Sequence, residues 1–157
     1  MKLEIDYQLT GKGWADCVIS VEDKRCEISA SYLSNALRNL ILAANGALTG
    51  FNSVSFGFDE EPGEYRWVLI SPRPNEIEVE IIEFQELCGW KPNSEGESLL
   101  KFRCQPIDFA KAVQSAAAKL LETHGENGYL EMWVEHPFPM SLYVDLTKMI
   151  EQDWRNG

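Results

Sequence analysis

Residues 56–70, with the sequence FGFDEEPGEYRWVLI, predict two antiparallel strands joined by an acidic turn. The first strand alternates phenylalanine with small or polar residues, which is the period of a half-buried strand. Pro62 and Gly63 favour a tight turn, because proline presets φ and glycine accepts a positive φ. Residues 65–70 have the composition of a returning strand. This hairpin indicates an antiparallel sheet with several carboxylates at one tip.

Side chains alternate between apolar and polar along further segments of the chain. This pattern predicts a strand in each of residues 3–9, 14–21, 25–30, 76–84 and 100–104. Within 76–84 the apolar phase slips near Ile81 and Ile82. The slip indicates either a β-bulge or a strand end that is covered on both faces.

Apolar residues recur at helical spacing in three places. The first helix is predicted to begin at Ser31 or Ser34, the second near Asp108 and the last at about Ser141. Residues 129–134 fit either a short helix or a strand. Since the strands come in groups, the order favours an α+β fold of two layers. We expect a mainly antiparallel sheet of six to seven strands, with two to three helices packed on one face.

The length of 157 residues predicts a single domain spanning residues 1–157. A formal net charge of −11 repels phosphate backbones and anionic membrane surfaces, so we expect neither nucleic-acid nor membrane binding. The charge favours a basic partner, although many cytosolic proteins are simply acidic. No apolar run resembles a signal peptide or a spanning helix, so a cytoplasmic location is expected.

The four cysteines are far apart and lack C-x-x-C spacing: Cys17, Cys26, Cys88 and Cys104. Cys17 and Cys26 share the parity of apolar strand residues, where a free cysteine behaves as a small hydrophobe. Thiols in a chain without an export signal are typical of a reducing cytoplasm. Ligands at metal-binding spacing do not occur, so the sequence predicts no metal site and no cofactor.

Four segments carry a resemblance to other proteins: GWAD at 13–16, ASYLSNAL at 30–37, EPGEYRW at 61–67 and HPFP at 136–139. Together they resemble a small bacterial protein family to which no activity, cofactor or catalytic residue is assigned. The resemblance covers most of the chain. It implies a bacterial, intracellular protein and carries no site residue onto this sequence.

Nucleophilic catalysis needs a base beside the nucleophile, and the chain offers His124 and His136. His124 lies where a helix is predicted to end, and there a histidine interacts favourably with terminal carbonyls. His136 precedes a proline and either anchors a loop or contacts a ligand beside Trp133. No G-x-S-x-G element is present. The sequence predicts no catalytic residue and favours a protein that is not an enzyme.

The carboxylates of the hairpin allow two interpretations. Glu60, Glu61 and Glu64 lie near Arg66, and a buried acid pair there would shift pKa values and suit acid–base chemistry. An exposed hairpin tip, with Arg66 paired to a glutamate, is the simpler arrangement.

A second acidic feature is the predicted outer face of the sheet. Strand parity places six acids on that face: Glu4, Asp6, Asp16, Glu76, Glu78 and Glu80. Lys101 and Arg103 can neutralise part of the array by cross-strand pairing. What remains is either a solvated face or an acidic docking surface, with Trp14 or Trp67 as an aromatic anchor at its edge.

Three functions remain open from the sequence. The first is a non-enzymatic acidic binding protein of the immunity or adaptor type, which recognises a basic protein through the glutamates at 76, 78 and 80. The second is a small-molecule binder or enzyme, with a pocket lined by Glu61, Glu64, Arg66, Trp67, Trp133 and His136. The third is a structural subunit of a homo-oligomer.

Overall fold

The computed structural model describes residues 2–86 and 91–155. The helices and strands follow one another in this order: β1 (Leu3–Gly11), β2 (Trp14–Val21), β3 (Lys24–Ser31), α1 (Ala36–Thr49), β4 (Ser53–Asp59), β5 (Glu64–Arg73), β6 (Glu76–Phe84), β7 (Glu97–Cys104), α2 (Pro106–Trp133) and α3 (Met140–Gln152). A short 3-10 turn, Asn93–Glu95, precedes β7. Cys88 lies outside the described residues.

The strands form two antiparallel sheets, with the orders β1-β2-β3 and β4-β5-β6-β7. In the first sheet Ile5 lies opposite Ile19, which lies opposite Cys26, so apolar residues of all three strands share one face. In the second sheet Trp67 lies opposite Ile81. The predicted α+β class with antiparallel strands is confirmed, and the strands are divided between two sheets.

The start of α1 differs from the prediction. The helix begins at Ala36, with Asn35 as its N-cap residue. The two serines considered as starts bind β4 instead: the Ser31 hydroxyl donates to the Asp59 carbonyl at 3.0 Å, and the Asp59 N–H donates to Ser34 Oγ at 3.1 Å. A serine whose hydroxyl bonds to another strand does not cap the helix that follows it.

The second helix is longer than its periodicity indicated. It begins with Pro106 in its first turn, a position where proline loses no helical hydrogen bond. Gly125 has non-helical torsion angles (φ 68°, ψ 174°) and divides α2 into two helical segments. Residues 129–133, which fitted either a helix or a strand, lie in the second of these segments.

Of the two explanations for the phase slip in β6, the covered strand end accounts for it. The register between β6 and β7 does shift between Ile81 and Ile82, as at a β-bulge, but the extra residue is Leu99 of β7, and β6 pairs with β5 without a shift at this point. Ile82 and Phe84 are buried on the outer face, because the chain before β7 crosses over them. The backbone of Gly96 lies so close to both side chains that a Cβ atom there would collide with them.

One hydrophobic core joins the inner faces of both sheets to the helices. Helix α2 packs on β1, and α1 packs on α2, α3 and β4. The buried thiols of Cys17, Cys26 and Cys104 are free. Within the described residues, no helix combines the length and the apolar character needed to cross a bilayer.

The two sheets meet where β3 lies beside the β4–β5 hairpin. The Ser29 hydroxyl donates to Glu60 Oε2 at 2.8 Å. The turn is closed by a hydrogen bond from the Glu60 N–H to the Gly63 carbonyl at 2.8 Å. This junction places the acidic turn of the hairpin against the outer face of the three-stranded sheet.

Candidate functional site

The hairpin contains a buried ion pair between two residues named from the sequence. Arg66 Nη2 donates to Glu64 Oε1 at 3.1 Å, and the side chains are only 8% and 5% exposed. Arg66 Nη1 also donates to the Asn93 side-chain oxygen at 3.0 Å and to the Lys91 carbonyl. The guanidinium carbon lies 4.1 Å from the centre of the Phe84 ring. The pair therefore fastens the chain before β7 to the sheet.

Asp59 adds a second carboxylate to this pair. It lies directly opposite Glu64 across β4 and β5. Burial, followed by the charge of Glu64, raises the pKa of Asp59. The folded protein therefore holds a carboxylate at a position that disfavours its negative charge.

Replacing Asp59 with asparagine is expected to raise the free energy of unfolding at pH 7 by about 0.2–1 kcal/mol, the range for a cross-strand charge pair. Because the pKa of Asp59 is higher in the folded state, the folded protein binds more protons. Stability is therefore lost as the pH rises through the window between the two pKa values. Urea denaturation at several pH values measures the effect. The gain should vanish below the ordinary pKa of aspartate, about 3.9, and a gain that persists there would contradict this explanation.

Two of the three tryptophans named from the sequence lie in the core, and Trp14 is exposed. Trp67 and Trp133 are both 0% exposed. Trp67 is stacked on Phe56, with ring centres 5.6 Å apart. His136 is half-buried in the connector between α2 and α3. A cavity of about 140 Å³ beside the hairpin is lined by residues of the turn, β5 and the end of β6, and neither Trp133 nor His136 lines it.

Glu76, Glu78 and Glu80 lie on the solvent side of the four-stranded sheet. Cations neutralise Glu76 and Glu78, and the Ser98 hydroxyl donates to Glu80 Oε2 at 2.7 Å. Arg103 Nε donates to Glu78 Oε2 at 3.0 Å, and Arg103 Nη1 donates to Glu76 Oε1 at 3.2 Å. Lys101 Nζ lies 3.6 Å from Glu78 Oε1. The predicted cross-strand pairing is confirmed, and it leaves this row with little free charge.

A different group of acids converges where the two sheets meet. We call it the acidic crevice and define it by Asp16, Glu27, Ser29, Glu60, Tyr65 and Glu83. Part of it encloses about 220 Å³ between the outer face of β2 and β3 and the Tyr65 ring. Among residues 2–86 and 91–155, no basic side chain forms an ion pair with Asp16, Glu60 or Glu83, and Glu27 pairs with the exposed Arg25.

Tyr65 lies at the centre of the crevice. It is opposite Glu83 in the sheet. Burial and the carboxylates of Glu60 and Glu83 raise the pKa of Tyr65 to about 12, because each of them disfavours a phenolate. The hydroxyl therefore stays protonated at neutral pH. The crevice offers carboxylate oxygens and the hydroxyl groups of Ser29 and Tyr65, a set that suits a cationic side chain.

Sequence reasoning named Asp16 and Glu60 and missed Tyr65 and Glu83. Glu83 has the parity of the core residues of β6, yet it lies beyond the end of the helical layer and is half-buried. The only signal in the sequence was the same phase slip that put Ile82 on the outer face. Among the described residues, no group of three or more histidines, cysteines or acids is arranged to hold a metal ion.

No protein-family model matches the chain. No curated protein sequence is similar to it either. Among solved structures, a chain of the CdiA-CT/CdiI toxin and immunity complex from Enterobacter cloacae has a similar backbone arrangement. The TM-score is 0.49 and the sequence identity 12%, over 74% of this chain and 99% of that chain. A likeness of this extent carries no argument about function.

Proposed function

We propose that this chain is a non-enzymatic binding protein that recognises a basic surface of a partner protein through the acidic crevice. The observation that carries the proposal is the contrast between the two groups of acids. In the row at 76–80, Glu76 and Glu78 are neutralised by arginine and lysine, and Glu80 accepts a hydrogen bond from Ser98. The crevice acids Asp16, Glu60 and Glu83 have no such partner among the described residues.

Unpaired carboxylates in a concave site favour a cation from outside. Glu60 and Glu83 are half-buried, so their charge is screened less than that of acids at an open surface. A guanidinium group that enters the crevice can donate hydrogen bonds to two carboxylate oxygens in one plane. The net charge of −11 adds long-range attraction, which raises the association rate of a basic partner.

An aromatic side chain borders the same face. Trp14 is 38% exposed and lies two residues before Asp16 on β2, so both side chains point to the outer face of the sheet. Tryptophan is common among the residues that dominate binding energy at protein interfaces. Acidic side chains that orient a basic partner, beside an aromatic side chain that anchors it, form a binding surface of the immunity or adaptor type. Binding of this kind needs no nucleophile–base pair.

The test begins with capture of partners from the source organism, identification by mass spectrometry and measurement of binding with both proteins purified. We expect a basic partner whose association rate falls as the salt concentration rises. The triple variant Asp16→Lys, Glu60→Lys, Glu83→Lys should lower the association rate by about tenfold or more. Asp16→Asn, Glu60→Gln, Glu83→Gln serves as a milder variant in case charge reversal disturbs folding.

The matched control reverses three exposed acids of α2 and α3: Glu126→Lys, Asp145→Lys and Glu151→Lys. It changes the net charge by the same amount on helices that contribute no residue to the crevice. If the two triple variants lose the same association rate, only the overall charge matters and the crevice is not the binding site. An acidic partner, or binding that neither crevice variant weakens, would also contradict the proposal.

A further inference from the structure

Strand β1 has one unpaired edge among the described residues. It pairs with β2 on one side, and its other side opens into a groove beside α2. Leu3, Glu4, Ile5 and Asp6 all line the groove, although successive residues of a strand point to opposite faces. The edge of β1, with its backbone donors and acceptors, therefore forms one wall.

The groove continues along the whole strand. Its first part encloses about 520 Å³, and a second part of about 250 Å³ is lined by Tyr7, Gln8 and Leu9. Lys119 lines both parts. The opposite wall is one face of α2, from Asp108 to His124. At about 1.5 Å per helical residue and about 3.3 Å per strand residue, both walls are a little over about 20 Å long.

The two walls differ in chemistry. Buried Ala112, Ala116 and Leu120 give the helix side a floor of small or apolar side chains, and exposed Lys111 and Lys119 also line it. On the outer face of β1, Glu4 and Asp6 carry negative charge beside the open edge. The side chains of a strand added at this edge would point alternately toward the apolar floor on α2 and toward Glu4 and Asp6.

We propose that β1 binds an extended segment of the partner protein as an additional strand, in which basic residues alternate with small apolar residues. The inference deepens the proposed function, on which its choice of a basic partner rests, by naming the form in which part of that partner binds. Main-chain hydrogen bonds to the β1 edge supply affinity. The alternation of side chains supplies specificity.

Two other features of the groove are consistent with this occupant. A second copy of this chain, paired through its own β1, would bring Glu4 and Asp6 of each copy into one row of like charges, which is unfavourable. The ion pair that crosses the groove, Lys119 Nζ to Asp6 Oδ1 at 3.5 Å, has side chains 63% and 45% exposed. Such a pair is weak, so an incoming strand can replace it.

The probe is a capped seven-residue peptide that alternates lysine and valine, and the control peptide has the same sequence with every backbone amide methylated. Both peptides carry the same charge, but the methylated peptide cannot donate main-chain hydrogen bonds. We expect the methylated peptide to bind about tenfold or more weakly by calorimetry. Hydrogen exchange of the β1 amides should slow with the first peptide and remain unchanged with the second.

Two protein variants locate the site. Ser115 is exposed and lines the groove, so Ser115→Trp fills the groove without disturbing the core and should weaken peptide binding by about tenfold or more. Asp145→Trp adds the same side chain to an exposed position of α3, which does not line the groove, and should leave binding unchanged.

Equal binding of the methylated peptide, or unchanged binding by Ser115→Trp, would overturn the inference, as would a dimer in sedimentation that Ser115→Trp dissociates. The crevice triple variant separates the two proposals. If it loses the peptide while Ser115→Trp keeps it, the acidic crevice binds the basic segment and strand addition is wrong. If only Ser115→Trp loses the peptide, strand addition stands even when the crevice proposal fails.

Discussion

Replacing Arg66 with alanine is expected to lower the free energy of unfolding by about 3–5 kcal/mol, the cost of leaving one partner of a buried ion pair uncompensated. Glu64 is 5% exposed, so water cannot restore what its carboxylate loses. The substitution also removes the hydrogen bonds to Asn93 and Lys91 that hold the chain before β7 on the sheet. Urea denaturation followed by tryptophan fluorescence measures the change.

The matched control is Arg25→Ala. Arg25 lies 2.6 Å from Glu27, but these side chains are 65% and 67% exposed, so the loss should be less than about 1 kcal/mol. The double variant Glu64→Leu, Arg66→Met removes both buried charges and should recover part of the stability. Similar losses in Arg66→Ala and Arg25→Ala would show that burial of the pair has no special cost.

Replacing Trp67 with alanine is expected to cost about 3–5 kcal/mol, the range for removing a large aromatic side chain from a core. Trp67 is fully buried and contacts rings from two elements: its centre lies 5.5 Å from Phe58 of β4 and 6.4 Å from Phe109 of α2. The cavity left by the indole would therefore separate the sheet from the helix that covers it. Thermal and urea unfolding both measure the loss.

Trp154→Ala provides the comparison, because Trp154 is 81% exposed. Its effect should stay within about 0.5 kcal/mol, as for most surface substitutions. A loss at Trp67 no larger than that at Trp154 would mean that the core closes around the missing ring, against the packing described above.

The alternation of apolar and polar residues was sufficient to predict a strand where one face of that strand packs on the core. The strand predicted at 14–21 has the bounds found for β2, because its buried and exposed side chains alternate without a break. The change of apolar face near Ile81 and Ile82 was also visible in the sequence, since a segment that covers the outer face makes that face apolar. Strand alternation is set by residues that are close together in the chain, so it can be predicted from the sequence.

Contacts between distant segments were not predictable in the same way. Ser31 and Ser34 have the sequence context of helix caps. In the structure both hydroxyl groups form hydrogen bonds to the backbone of Asp59, which lies 28 and 25 residues further along the chain. The acidic crevice brings together β2, β3, the hairpin turn and the end of β6. Which residues form the crevice depends on how the two sheets pack against each other. The alternation of residues within one strand carries no information about that packing.

Gly13 limits how the turn between β1 and β2 can vary over evolutionary time. Its N–H donates to the Met132 carbonyl at 2.6 Å, and its carbonyl accepts from the Tyr32 N–H at 2.9 Å. Its φ is +79°, and a Cβ atom would lie 2.9 Å from the Tyr32 ring. Hairpin turns usually tolerate substitution. Here a larger residue at 13 would require the turn itself, Tyr32 and Met132 all to move. We therefore expect Gly13, a buried residue of a turn, to be substituted as rarely as a residue of the core.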